Sequence, residues 1–257
     1  MPAELEAWLA QFVSVLARLG AALTFVPLPG LRQAPLVPRV ALAVALSLLV
    51  SPGITMRASH GPIRTLADAA WNLPLEAAMG LGVGVAVGWL LEIFTLGMQL
   101  ISVQAGFSYA STIDPATQAD SGVLMVAGQL AAGLLFVGLG WEREVLAAFA
   151  ASLERAPPGV WQMQPEFAVL VSKWTGTCIA LAFRLALPTM AFLLLLDLAL
   201  ALMGRTQPQM QLINLAMPVK LGASLVLLAW QAPGLPTMLG RAMPGLLELL
   251  GRLGVPR

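Results

Sequence analysis

Long apolar runs, set apart by proline, glycine and short charged clusters, dominate the chain. They fall at about Trp8–Val26, Val37–Val50, Leu73–Val103, Val123–Leu139, Phe167–Met203 and Met210–Trp230. Breaks stand at Pro27-Leu28-Pro29-Gly30, Ser51-Pro52-Gly53 and Pro157-Pro158-Gly159. The runs predict helices, and the breaks predict the turns between them. Ile54–Ala70, with Arg57, His60, Arg64 and Asp68, reads as a polar stretch. Trp141–Glu166 reads as a polar connector, and the chain from Gly234 onward as a short amphipathic piece.

Two runs are too long for one crossing of a bilayer. Phe167–Met203 holds 37 residues, about 55 Å of helix at 1.5 Å per residue. A hydrocarbon core is only about 30 Å thick. The run is therefore a helical hairpin or a helix that projects well past the membrane, with Pro188 near its middle as a break or kink. Leu73–Val103 is also over-long and contains Gly80, Gly82, Gly84 and Gly88. The expected fold is an all-α integral membrane protein of long, kinked helices and helical hairpins, forming one domain over residues 1–257.

Composition supports the membrane assignment. Hydrophobic residues make up 58% of the chain and charged residues 11%, and mean hydropathy is +0.83. A soluble domain carries about a quarter charged residues. The length leaves room for about five to seven membrane-length helices. A net charge of +1 supplies no basic field for nucleic acid. Cys178 is the only cysteine, which leaves no internal disulfide or thiolate cluster and makes it a small buried hydrophobe. Glu4 and Glu6 replace the basic start of a signal peptide, so the first apolar segment is expected to stay in the mature protein.

Charge then complicates the picture. Arg18, Glu76, Glu92, Lys173, Arg184, Asp197 and Lys220 lie within or against the apolar runs. A charge at membrane depth must face protein or water. The mixture of acids and bases favours pairing and subunit contacts over a proton relay. Connector charges come in pairs of like sign rather than alternating, so they assign no orientation. Gly80, Gly84 and Gly88 form a ladder of small residues that lets a neighbouring backbone approach closely. His60 is the only histidine, no catalytic or metal-ligand spacing stands out, and neither an enzyme nor a cofactor is expected.

Two stretches are distinctive. One is Gln104-Ala-Gly106-Phe107-Ser-Tyr109-Ala-Ser-Thr-Ile113-Asp114-Pro115, and the other Arg205-Thr-Gln-Pro208-Gln209-Met210-Gln211, followed by Met217-Pro218-Val-Lys220. Together with the Ala186-Leu187-Pro188 step they resemble the FliR family of flagellar biosynthesis proteins, whose virulence counterparts are the T-type subunits of type III secretion. The resemblance runs through essentially the whole chain. It departs at Gln211, where the family usually has asparagine, and at Trp141-Glu142, where it often has Gly-His. The flagellar branch is the expected one, with an injectisome export subunit as the alternative.

The resemblance implies a subunit of a helical export gate in the bacterial inner membrane, at the flagellar basal body. Its partners would be FliP-like and FliQ-like membrane subunits, a FlhB-like switch subunit and the unfolded proteins that pass through. It also implies a loop, Gln104 to Asp120, that plugs the closed pore, with Phe107, Tyr109 and Ile113 as the occluding side chains. Arg18, Arg184, Asp197 and Lys220, with Pro208, Gln209, Met210 and Pro218, become candidates for subunit contact or helix packing.

Overall fold

The computed structural model describes residues 3–25, 36–57, 63, 65–107, 123–160, 165–206 and 212–253. The described residues form helices and short turns: α1 (Ala3–Phe25), α2 (Leu36–Arg57), α3 (Leu66–Ala105), α4 (Val123–Gly138), α5 (Trp141–Arg155), α6 (Pro165–Thr206), α7 (Leu212–Gln231), a 3-10 turn (Ala232–Gly234) and α8 (Leu235–Leu253). Among the described residues three helices are long and apolar enough to cross a membrane, Glu4–Phe25, Leu66–Ala105 and Glu166–Arg205, or four if α4 and α5 count as one broken span. That is fewer than the five to seven that length alone allows, because α3 and α6 absorb 40 and 42 residues.

The longest apolar run resolves as a single helix. Pro188 stays inside α6, so the hairpin alternative does not apply, and the helix extends over about 63 Å. The segment read as a polar connector contains α5. Its buried residues Trp141, Val145, Phe149, Ser152 and Leu153 keep helical spacing, while Arg143, Glu144, Glu154 and Arg155 are exposed and Glu142 is half-buried. Helix α2 likewise continues to Arg57, past the break expected at Ser51-Pro52-Gly53.

Local chemistry sets the bounds of α3. Thr65 N–H donates to Asp68 Oδ2 at 3.0 Å, and Asp68 N–H donates to Thr65 Oγ1 at 3.1 Å. This reciprocal capping box satisfies two otherwise orphaned donors at the helix start. At the other end Gly106 adopts φ 87, the left-handed conformation that glycine reaches without a Cβ penalty. Phe107 N–H donates to Ser102 O at 3.0 Å and Gly106 N–H to Val103 O at 3.3 Å. That is the bond pattern of a Schellman turn.

The chain divides into two compact units. The first comprises Met1–Leu90, Phe136–Gly176 and Arg241–Arg257; the second comprises Leu91–Leu135 and Thr177–Gly240. In the first unit α1 packs on α2, and the glycines of α3 lie against the backbone of α1. A Cβ on Gly80 would stand 2.0 Å from Arg18 O, one on Gly84 2.4 Å from Ala22 O, and one on Gly88 3.2 Å from Phe25 O. The buried Trp174 Nε1 donates to Ala86 O at 2.8 Å. In the second unit Met98, Ile101, Leu124 and Ala186 form a core that Phe107 and Met190 pack against.

Candidate functional site

Arg18 and Glu76, buried in the first unit, answer each other's charge. Arg18 is fully buried, and Nε donates to Glu76 Oε2 at 2.6 Å. Nη2 lies 2.6 Å from the same oxygen, without the alignment of a hydrogen bond. Nη1 donates to Ala156 O at 2.9 Å, and Gly159 N–H donates to Glu76 Oε1 at 2.9 Å. Gly159 has φ 86 and Val160 N–H donates to Pro157 O at 3.1 Å, so Pro157–Val160 is a type II turn with glycine at the position that requires it. One ion pair thus fastens α1, α3 and this turn together. With no exposed surface, Arg18 offers no face to a partner.

The second unit holds the predicted loop's first residues. Gln104, near the end of α3, donates from Nε2 to Asp197 Oδ2 at 3.2 Å. Lys220 Nζ reaches Oδ1 at 2.9 Å and Oδ2 at 3.0 Å of the same carboxylate. Asp197 on α6 therefore ties the end of α3 to α7. Immediately after this anchor comes the Schellman turn, and Phe107 lies on the core that includes Ile101, the contact expected across such a turn. Tyr109, Ile113, Asp114 and Pro115, and likewise Pro208, Gln209 and Met210, lie outside the described residues. Pro218 is an exposed residue within α7, and Arg184 is exposed on α6.

The pairing of Arg18 with Glu76 and of Asp197 with Lys220 is not evident from spacing, since the partners stand 58 and 23 residues apart. The signal available in the sequence is the need of each buried charge for a partner. Among the described residues no group of three or more histidine, cysteine, aspartate or glutamate side chains could hold a metal ion. A cavity of about 120 Å³ in the first unit, bounded by Leu19, Leu42, Phe136, Glu142 and Phe149, is lined almost wholly by carbon. Among the described residues Glu142 is its one charged lining residue, which gives no pair of groups for acid–base chemistry there.

The anchor makes a checkable prediction. Asp197→Ala removes the acceptor shared by Gln104 and Lys220, and the Gly106 and Phe107 amides should then exchange hydrogen several-fold faster. Exchange at the wild-type rate would show that the Schellman turn holds without the carboxylate.

An all-α membrane protein with long apolar helices and no evident reaction centre among its described residues is the class defined by this geometry. The sequence profile of the family described as Bacterial export proteins, family 1, matches residues 9–245. The chain belongs to that family. It is similar to the flagellar biosynthetic protein FliR of Bacillus subtilis (strain 168), with 27% identity over 227 residues, 84% of each chain. It is 24% identical over 226 residues to FliR of Escherichia coli (strain K12), covering 88% of this chain and 85% of that one. With FliR of Caulobacter vibrioides it shares 25% identity over 222 residues, 86% of this chain and 88% of the relative.

Proposed function

We infer that this chain is a channel-forming subunit of a flagellar type III export gate in the bacterial inner membrane. It assembles with FliP-like and FliQ-like membrane subunits and a FlhB-like switch subunit, and it conducts unfolded proteins. The observation that carries this reading is the apolar surface left open on α6. Only 22% of its most apolar window is buried, against 61% for α3. Exposed Leu187, Leu194, Leu195, Leu198 and Leu202 form an uncovered face on a helix about 63 Å long. Exposed apolar positions run along α6 from Val169 to Leu202, about 50 Å against a hydrocarbon core of about 30 Å, and what lipid cannot cover needs protein.

Within that assembly the stretch Gln104 to Asp120 serves as the plug. A gate for unfolded chains must seal against ions yet open without sequence preference. Apolar side chains such as Phe107, Tyr109 and Ile113 exclude water when packed and offer no fixed hydrogen-bond partner to a passing chain. The Asp197–Lys220–Gln104 anchor holds the start of this stretch, and we propose that passing substrate displaces the plug.

The test is electrical. The gate, assembled with its membrane subunits and placed in planar bilayers, should leak more ions when Phe107 and Tyr109 are both replaced by alanine. Conductance equal to wild type would remove the plug from the proposal. Failure of the chain to assemble with any membrane subunit would remove the gate.

A further inference from the structure

Among the described residues of the candidate set, Arg184 is the one whose charge is unanswered. It is exposed on α6 and makes no ion pair or side-chain hydrogen bond among the described residues. Its surroundings are apolar: Phe183, Leu187 and Leu195 are exposed at 45%, 54% and 62%. Ala180 and Ala191, one and two turns away on the same side, are also exposed.

Its depth makes the exposure costly. The apolar span runs from Glu166 to Arg205, about 58 Å from end to end. A 30 Å slab placed wholly along it contains Arg184 or ends beside it. Within the slab a guanidinium cannot face hydrocarbon without a large penalty, and only at the slab's edge can it snorkel to the interface. The backbone adds a second polar demand at the same point, because Pro188 has no N–H to give to the Arg184 carbonyl. Elsewhere in the chain the corresponding charges are already matched, Arg18 by Glu76 and Lys220 by Asp197. A cation, a carbonyl lacking its helical donor and flanking alanines therefore meet in an otherwise greasy face.

We propose that this face of α6 seats a membrane helix of another subunit, and that an aspartate or glutamate on that helix pairs with Arg184. The inference rests on the export-gate reading and adds to it the place of contact and the partner's chemistry. Ala180 and Ala191 let the partner backbone come close. The planar guanidinium can hold a carboxylate through two parallel hydrogen bonds. Charge complementarity fixes the occupant: a purely apolar helix would leave the guanidinium unpaired, and a basic one would repel it.

The experiment places a photoreactive residue at Ala180, Ala191 or, as a reference, the exposed Val226 of α7, in the full chain produced together with FliP-like and FliQ-like membrane subunits. Mass spectrometry then identifies the captured peptide. The expected capture at Ala180 and Ala191 is a membrane helix with an acidic residue within one turn of the crosslink. Arg184→Glu should lower that yield by about thirtyfold or more, the scale of breaking one partner of a buried charge pair, whereas Arg184→Lys should retain capture. Replacing the partner's acid by arginine in the Arg184→Glu background should restore it, which separates a lost contact from a misfolded chain.

Three outcomes overturn the proposal while leaving the gate reading intact, provided that Val226 still captures another subunit. These are capture of lipid alone at Ala180 and Ala191, capture indifferent to Arg184→Glu, and rapid modification of Ala180→Cys by a charged, membrane-impermeant thiol reagent. The last would place Arg184 on an aqueous conduit. Capture of no subunit from any of the three positions would overturn both readings.

Discussion

Replacing Arg18 by leucine will destabilise the first unit by about 3–5 kcal/mol, because it strands the Glu76 carboxylate in the interior. Both side chains are essentially inaccessible, at 0% and 2% exposure, so solvent cannot screen the remaining charge. Glu76→Leu alone should do comparable harm by leaving the guanidinium uncompensated. The double variant Arg18→Leu/Glu76→Leu should recover most of the loss, since two packed leucines leave no buried charge. What it does not recover is the pair of backbone contacts, to Ala156 O and from Gly159 N–H. Arg18→Lys is not conservative here, because one ammonium must replace a fork that reaches Glu76 and Ala156 together. Thermal unfolding of the purified chain in mild detergent checks the order, and a single variant as stable as the double would refute it.

Gly80→Ala is the second large effect. The added methyl would stand 2.0 Å from the Arg18 carbonyl oxygen and 2.9 Å from its carbon. Those are backbone atoms of a helix and cannot rotate aside as a side chain can. Helix α1 must shift, at a cost of about 1–3 kcal/mol or more. Gly88→Ala should cost less, because its nearest neighbour lies at 3.2 Å. Gly82→Ala meets only the ring of Phe167, which can turn away. The ranking Gly80 above Gly88 is thus the diagnostic, read from unfolding midpoints in the same detergent. Gly80 also touches the residue that carries the buried ion pair, so its effect and that of Arg18→Leu should not add.

Much of this architecture was legible in the sequence, and for a physical reason. A membrane-length apolar run is a one-dimensional signal, and α1, α3, α4 and α6 all announce themselves through it. The spacing of Gly80, Gly84 and Gly88 likewise marks a close-packing face, although nothing local says that α1 is the helix against it. Helix α5 was missed because its charges outweigh its apolar residues in any average. Its signal was the periodic placing of Trp141, Val145 and Phe149. Pro188 was ambiguous because a proline can end a helix or sit within one, and tertiary packing decides. The two charge pairs were illegible as pairs, since attraction depends on distance in space and the chain records only distance along itself. At the candidate site, the sequence singled out Gln104, Asp197 and Lys220 separately, and the fold joined them into one anchor.

The turn at Pro157–Val160 carries a consequence for biosynthesis. Arg18 and Glu76 are both made early, but the groups that complete their hydrogen bonding, Ala156 O and Gly159 N–H, come later in the chain. Glu76 and Gly159 are separated by 83 residues, about 4–17 s of synthesis at roughly 5–20 residues per second. For that interval α1 and α3 can meet with their ion pair only half satisfied. The buried ion pair is therefore completed in two stages, and the second waits on the ribosome.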